Sequence, residues 1–153
     1  MIPPNRPQVF SIPVEQARPL RNLILRPGLP PETCIYPDDD APKTFHCGAF
    51  LDGDLVGIAS IFQESPPFDT DPDAWRLRGM AVSARARRKG FGTALIEACL
   101  DHAAAFCGSI LWCNARTNVL PFYKTMGFHR KGEEFNVPES GPHFVMWRNI
   151  IKK

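Results

Sequence analysis

Met80-Ala81-Val82-Ser83-Ala84-Arg85-Ala86-Arg87-Arg88-Lys89-Gly90-Phe91-Gly92-Thr93-Ala94-Leu95 decides how this chain is read. The run Trp75–Val82 reads as a strand. A basic loop follows, and two glycines open a helix. The first turn of a helix carries unpaired backbone N–H groups and about half a positive charge. Glycine lets an anion approach those groups, and Arg87, Arg88 and Lys89 add charge of the same sign. The segment reads as a pyrophosphate cradle. Two better-known phosphate loops do not fit. The string G-x-x-x-x-G-K-[ST] is absent, and G-x-G-x-x-G fails because Leu95 stands where the third glycine belongs.

Outward from this segment, Gly90–Phe106 reads as a helix. Phe91, Leu95, Cys99 or Ala98, His102 and Phe106 form its apolar stripe. Ile110–Cys113 is a short apolar strand of the kind buried in a parallel pair, so strand, helix and strand imply a parallel crossover. Upstream, Thr44–Leu51 and Leu55–Phe62 flank Asp52-Gly53-Asp54, a strong hairpin signal. Residues 8–12 suit a first strand and 14–26 a helix that stops at Pro27-Gly28, with Pro19 best placed in a first turn. Residues 27–43 and 64–73 read as loops. Residues 118–126 form a short helix, N-capped by Thr117 or Asn118 and ended by Gly127. Residues 127–135 and 143–149 close the chain as strands. The order is β-α-β-β-β-α-β-α-β-β, an α/β arrangement on a mixed sheet of six or seven strands.

Composition bounds the function. The chain has 153 residues, 44% apolar and 22% charged. That is ordinary for one globular domain, expected to span residues 1–153 with a radius of gyration of about 15 Å. No apolar run reaches 18 residues, so no membrane helix is expected. Met1–Arg6 lacks the apolar stretch of a signal peptide. The net charge of +2 is too small to suggest nucleic acid. It is unevenly placed, however: Arg76 to Lys89 holds six basic residues and no acid. As a bare run that reads as a solvated face; joined to a helix start, it suits phosphate. The five cysteines (34, 47, 99, 107, 113) are odd in number and never spaced C-x-x-C. Free, mostly buried thiols in a reducing cytoplasm are expected, with no disulfide framework and no zinc.

The string Arg87-x-x-Gly90-x-Gly92 resembles the Q/R-x-x-G-x-G/A signature of the GNAT family of acyl-CoA-dependent N-acyltransferases. About 30 residues on, Phe122-Tyr123-Lys124-Thr125-Met126-Gly127-Phe128 resembles that family's Phe-Tyr-x-x-x-Gly-Phe element. The resemblance covers roughly residues 44–149. It implies the GNAT fold, acetyl-CoA as co-substrate, and acetyl transfer to a primary amine of a small molecule or peptide by direct attack. It further implies that backbone groups of Met80, Ala81 and Val82 pair with the pantetheine arm. The N–H groups from Arg87 to Thr93, through Gly90, Phe91 and Gly92, would hold the pyrophosphate. Tyr123 would protonate the departing thiolate, a task open to a neutral phenol.

Two positions depart from the family pattern. An Asn common seven residues before the Tyr is Arg116 here, which leaves Asn118 to serve the cofactor or cap the helix. The strand Trp75–Val82 lacks the Glu that often acts as base, so Glu64, His46, His143 or water are the candidates. Arg76 and Arg78 share a strand face that could draw an anionic acceptor. Trp75, Trp112 and Phe68 could line an acceptor pocket, although core packing also accounts for them. The acceptor site itself would be built by loops 27–43 and 64–73. Two other readings stay open: a non-catalytic acyl-CoA sensor, and an interaction domain using the basic loop. Oligomeric state stays open too, a homodimer included.

Overall fold

Seven strands form one sheet in the computed structural model, which describes residues 7–151. The reading of Met1–Arg6 falls outside those residues. The strands are β1 (Gln8–Ser11), β2 (Phe45–Leu51), β3 (Asp54–Gln63), β4 (Trp75–Val82), β5 (Ile110–Arg116), β6 (His129–Val137) and β7 (Gly141–Asn149). Their spatial order is β1-β2-β3-β4-β5-β7-β6. Every neighbouring pair is antiparallel except β4 and β5, the pair joined through a helix. Asp52 and Gly53 both take positive φ in the β2–β3 turn, as a tight hairpin requires.

Helix α2 (Phe91–Ala105) and the short α3 (Leu120–Thr125) pack on one face of the sheet. Phe91, Leu95, Ile96, Cys99 and Ala103 are the buried residues of α2. His102 and Phe106 do not complete its apolar stripe. Four residues after Cys99 comes Ala103, so the helical period carries the buried line there. Phe106 lies past the helix end, 41% exposed. His102 instead stacks on Phe45 at 4.4 Å and donates from Nε2 to the Lys43 carbonyl at 2.9 Å. Helix α1 (Val14–Leu20) covers the other face, with Ala17 packed beside Ile12, Ile58 and Ala81.

Pro19 sits inside α1 and not in its first turn. Proline removes an i→i−4 hydrogen bond and crowds the preceding turn. The helix continues as a π-helical stretch, Arg21–Leu25. Loop 27–43 is irregular apart from a 3₁₀ turn at Pro31–Cys34.

Arg21 ties that loop to the sheet. It is fully buried and pairs bidentately with Asp39, at 2.9 and 3.0 Å. It also donates to the Cys34 carbonyl and to Ser60 Oγ. His46 completes the network: Nε2 donates to the Asp39 carbonyl at 2.9 Å, which leaves Nδ1 to accept from Ser60 Oγ at 2.6 Å. Burial would raise the Asp39 carboxyl. The hydrogen bonds from Arg21 and the Tyr36 N–H, with the Arg21 charge, outweigh it and hold the group below its ordinary 3.8.

Breaking a buried ion pair by removing one charge costs about 3–5 kcal/mol, so Asp39→Asn should lower stability by that order at pH 7. The Asp39 contribution is complete above the unfolded-state value and fades as pH falls through the lower folded-state value. Urea unfolding should therefore show the gap between wild type and variant narrowing below about pH 4. A gap that holds constant down to pH 2 would contradict the assignment.

Candidate active site

Only Trp75–Leu111 and Arg76–Trp112 pair between β4 and β5; beyond them the two strands part. The cause lies across the sheet. Ser60 of β3 faces Arg78 and Ile58 faces Ala81, so Ala59 alone stands opposite both Gly79 and Met80. This is a β-bulge, with Gly79 at φ +64°. A Cβ at Gly79 would lie 2.9 Å from Arg21 Nε and 3.1 Å from Tyr36 Cε2, so glycine is demanded by space as well as by φ. The strands enclose a cleft of about 280 Å³. Its walls include Arg76, Arg78 and Met80 of β4 and Cys113, Asn114 and Arg116 of β5.

The basic loop lies where β4 ends. Arg88 and Gly90 both take positive φ as the chain turns into α2. Gly90 is the N-cap, and no side chain caps the first turn, so the N–H groups of Phe91, Gly92 and Thr93 lack intrahelical acceptors. Arg88 and Lys89 are exposed beside them. An uncapped turn flanked by two exposed cations suits a pyrophosphate. Three neighbours behave differently from the sequence expectation. Arg87 turns back and donates from Nε to the Val82 carbonyl at 3.1 Å. Arg85 pairs with Asp54. Gly92 is needed by the protein's own packing, since a Cβ there would meet Phe122 Cζ at 3.2 Å and Met80 Cε at 3.3 Å. Gly90, by contrast, faces nearly open space.

Tyr123 forms part of the cleft wall from α3. Its ring packs against Phe122 and Phe128, and its hydroxyl points at Met80 Sδ, 3.9 Å away. Burial pushes the phenol well above its ordinary value of 10, and the neighbouring Cys113 adds to the effect. Cys113 is itself pushed up to about 12, chiefly by burial. At neutral pH the pair is therefore uncharged, and the phenol keeps its proton.

Of the three candidate bases, the cleft receives one. His143, on β7, lies opposite Arg116. Nδ1 donates to the Gly141 carbonyl at 2.8 Å, so Nε2 is the acceptor of the neutral ring. Ser140 Oγ stands 3.4 Å from Nε2 and accepts from Arg116 Nε at 3.2 Å. His46 is spent in the Asp39 network and does not border the cleft. Glu64 does not border the cleft; it is held at 3.0 Å by Arg76, which does.

Other expected residues divide similarly. Met80 lines the cleft, whereas Ala81 is buried against Ile58. Asn118 is exposed, does not border the cleft and does not cap α3, whose N-cap is Val119. Thr117 donates to Glu134 instead. Loop 27–43 reaches the cleft through Leu29 and Tyr36. Loop 64–73 does not; Asp71 accepts from Ser109 Oγ at 2.6 Å, at the closed end of the β4–β5 pair. The β6–β7 turn takes its place with Glu139 and Ser140. Trp75 and Trp112 are core residues, and Phe68 is exposed under Lys131. The five cysteines are free, with Cys107 exposed and the other four buried. Among the described residues no three His, Cys, Asp or Glu side chains gather as a metal site, and no helix is long and apolar enough to cross a membrane. Asn114, Arg26 and Glu139 were not singled out by sequence, because nothing local marks them as sharing a cleft.

The sequence profile of the acetyltransferase (GNAT) family matches residues 14–128. The chain belongs to that family. It is 40% identical to the uncharacterized N-acetyltransferase YitI of Bacillus subtilis (strain 168), over 94% of this chain and 96% of that protein. The fold is similar to Ard1 from Thermoplasma volcanium, with a TM-score of 0.76, 19% identity and coverage of 95% and 99%. It is also similar to an aminoglycoside 6′-N-acetyltransferase complexed with coenzyme A, with a TM-score of 0.70, 16% identity and coverage of 95% and 99%. As a member of the family the chain is an acyl-CoA-dependent N-acetyltransferase, with acetyl-CoA as co-substrate and an amine as acceptor.

The chain has two tyrosines. Alkaline spectrophotometric titration should show one phenol ionising well above the ordinary range, and Tyr123→Phe should remove that late step. A Phe variant that retains it would show that Tyr123 is not the desolvated phenol.

Proposed function

We propose that this chain, working as one domain, transfers acetyl directly from acetyl-CoA to the primary amine of a small molecule or peptide across the β4–β5 split. The observation that carries this reading is an uncharged, buried phenol in the wall of a strand gap whose open end leads to an uncapped helix start. Acetyl-CoA supplies an activated thioester carbonyl. The first turn of α2, with Arg88 and Lys89, would hold its pyrophosphate. The unpaired edge of β4 at Met80–Val82 would align its pantetheine arm, with the Arg87–Val82 contact yielding to it.

Tyr123 keeps a proton at its hydroxyl and would deliver it to the departing sulfur. His143 Nε2, with Nδ1 committed to Gly141, would accept the proton that the amine sheds. Ser140 lies between His143 and Arg116 and would steady that nitrogen. The free thiols support a reducing compartment, the cytoplasm.

Tyr123→Phe keeps the ring and removes the proton. The variant should fold and bind acetyl-CoA while kcat falls at least tenfold, since a positioned acid contributes about 10²–10⁴. A kcat within twofold of wild type would mean that the proton comes from water. The Arg88→Gln/Lys89→Gln variant changes two exposed side chains. It should weaken acetyl-CoA binding about ten- to a hundredfold in calorimetry at low salt, and less at 0.5 M salt. Unchanged affinity would remove the phosphate assignment.

A further inference from the structure

The cleft has a charge pattern that the transfer chemistry does not require. Four arginines border it (Arg26, Arg76, Arg78 and Arg116) against one carboxylate, Glu139. Their states differ. Arg76 is neutralised by Glu64 at 3.0 Å. Arg116 donates to the Leu25 carbonyl and to Ser140 Oγ, neutral acceptors that leave its charge uncompensated. Arg78 stacks on the Tyr36 ring, 4.0 Å from its centre. Among the described residues no carboxylate lies within ion-pair distance of Arg78 or Arg26. Glu139 is exposed, on the β6–β7 turn.

A half-buried guanidinium beside other cations is a costly arrangement. Burial lowers the Arg78 pKa and the charges of Arg76 and Arg26 lower it further, which Tyr36 and the more distant Glu64 offset only in part. The fold therefore holds a positive charge in a partly desolvated wall with no carboxylate in contact with it, and an anion bound there would relieve the strain. The planar fork of arginine matches a carboxylate, and the Tyr36 ring lies against it.

We propose that the acceptor is a small amine that also carries a carboxylate, and that Arg78, with Arg26 beside it, is the residue that selects it. The proposal rests on the reading of the β4–β5 split as the transfer site. Arg78 and Met80 flank Gly79 of the bulge and line the same cleft as Tyr123, whose hydroxyl lies 3.9 Å from Met80 Sδ. One small molecule can thus present its amine near Tyr123 and its carboxylate to Arg78. The volume, about 280 Å³, is at the low end for ligand sites, which favours an amino acid-sized acceptor. The same arginines repel polycationic amines, so the pattern selects against them as well.

The test uses matched pairs: glycine, methionine and 4-aminobutyrate, each against its carboxamide, with taurine and 2-aminoethyl phosphate as other anions. Free-thiol release gives kcat and KM for each. The carboxylates should exceed their amides at least tenfold in kcat/KM. Arg78→Gln should cut that ratio at least fivefold, mainly through KM for the acids, and Arg78→Lys should restore part of it. Arg26→Gln should reduce it less, and serves as the second variant if Arg78→Gln misfolds. Amides used as well as acids would overturn the proposal. So would an Arg78→Gln variant that loses both members of each pair alike, or a preference for taurine or 2-aminoethyl phosphate over every carboxylate. If no amine releases thiol, the same pairs are titrated by calorimetry into the protein with and without CoA. Heat with the acids alone supports the proposal, and no heat with any acid overturns it. Failure to bind CoA would overturn the transfer reading instead, a separate result.

Discussion

The parting of β4 from β5 is the constraint on which the site depends. A parallel pair that stayed zipped would fill the space with its own hydrogen bonds, and no cleft would exist. The bulge at Gly79–Met80 prevents this. Two residues of β4 against one of β3 turn the strand and shift its outer edge away from β5. The backbone polar groups so released need partners. A ligand that can offer amides along an extended arm is a suitable one. The positive φ at Gly79 permits the turn, and the crowding by Arg21 and Tyr36 leaves no room for a side chain.

That crowding links the bulge to the buried ion pair. Arg21 is held by Asp39, Cys34 and Ser60, and its guanidinium lies 4.1 Å from the centre of the Tyr36 ring. Tyr36 then carries Arg78 on the same ring. A chain of packed charges and one aromatic therefore runs from the loop after α1 to the wall of the cleft. Its cost is the burial of Arg21 and Asp39, offset by bidentate pairing and further hydrogen bonds. What it supplies is position: an irregular loop held against a sheet that would otherwise be open on that side.

The cleft joins two unlike environments. Around Tyr123 the surroundings are apolar and sulfur-rich, with Met80 and Cys113 as neighbours, and the phenol stays protonated because an ionised form would be poorly solvated. A few residues away, arginines and His143 make the wall polar. Proton donation to a sulfur suits the first environment, and recognition of a polar acceptor suits the second. The strand β4 spans both, which is why one bulge can position both.

Local chemistry in the sequence was enough for much of this. Asp52-Gly53 dictates a hairpin, the two glycines after a basic loop dictate a helix start, and an apolar strand after α2 dictates a parallel partner. These signals act within a few residues, where backbone sterics and hydrogen bonding operate. The position of Tyr123 was legible too, through a motif that spans a single helix. His143 was one of the candidate bases, with Glu64, His46 and water, that sequence could not rank, because what separates it from His46 is the partner of each ring nitrogen. Ser60 and the Asp39 carbonyl are 14 and 7 residues from His46, and only folding brings them to it. Loop 64–73, expected to build the acceptor site, does not border the cleft, and for the same reason: a loop's composition does not say at which end of a sheet it lies. The bulge at Gly79 had no sequence signal beyond a glycine in a strand. Sequence determined the elements and the chemistry at their ends; the tertiary structure decided which charges meet, because electrostatic pairing depends on distances across the sheet that no local rule contains.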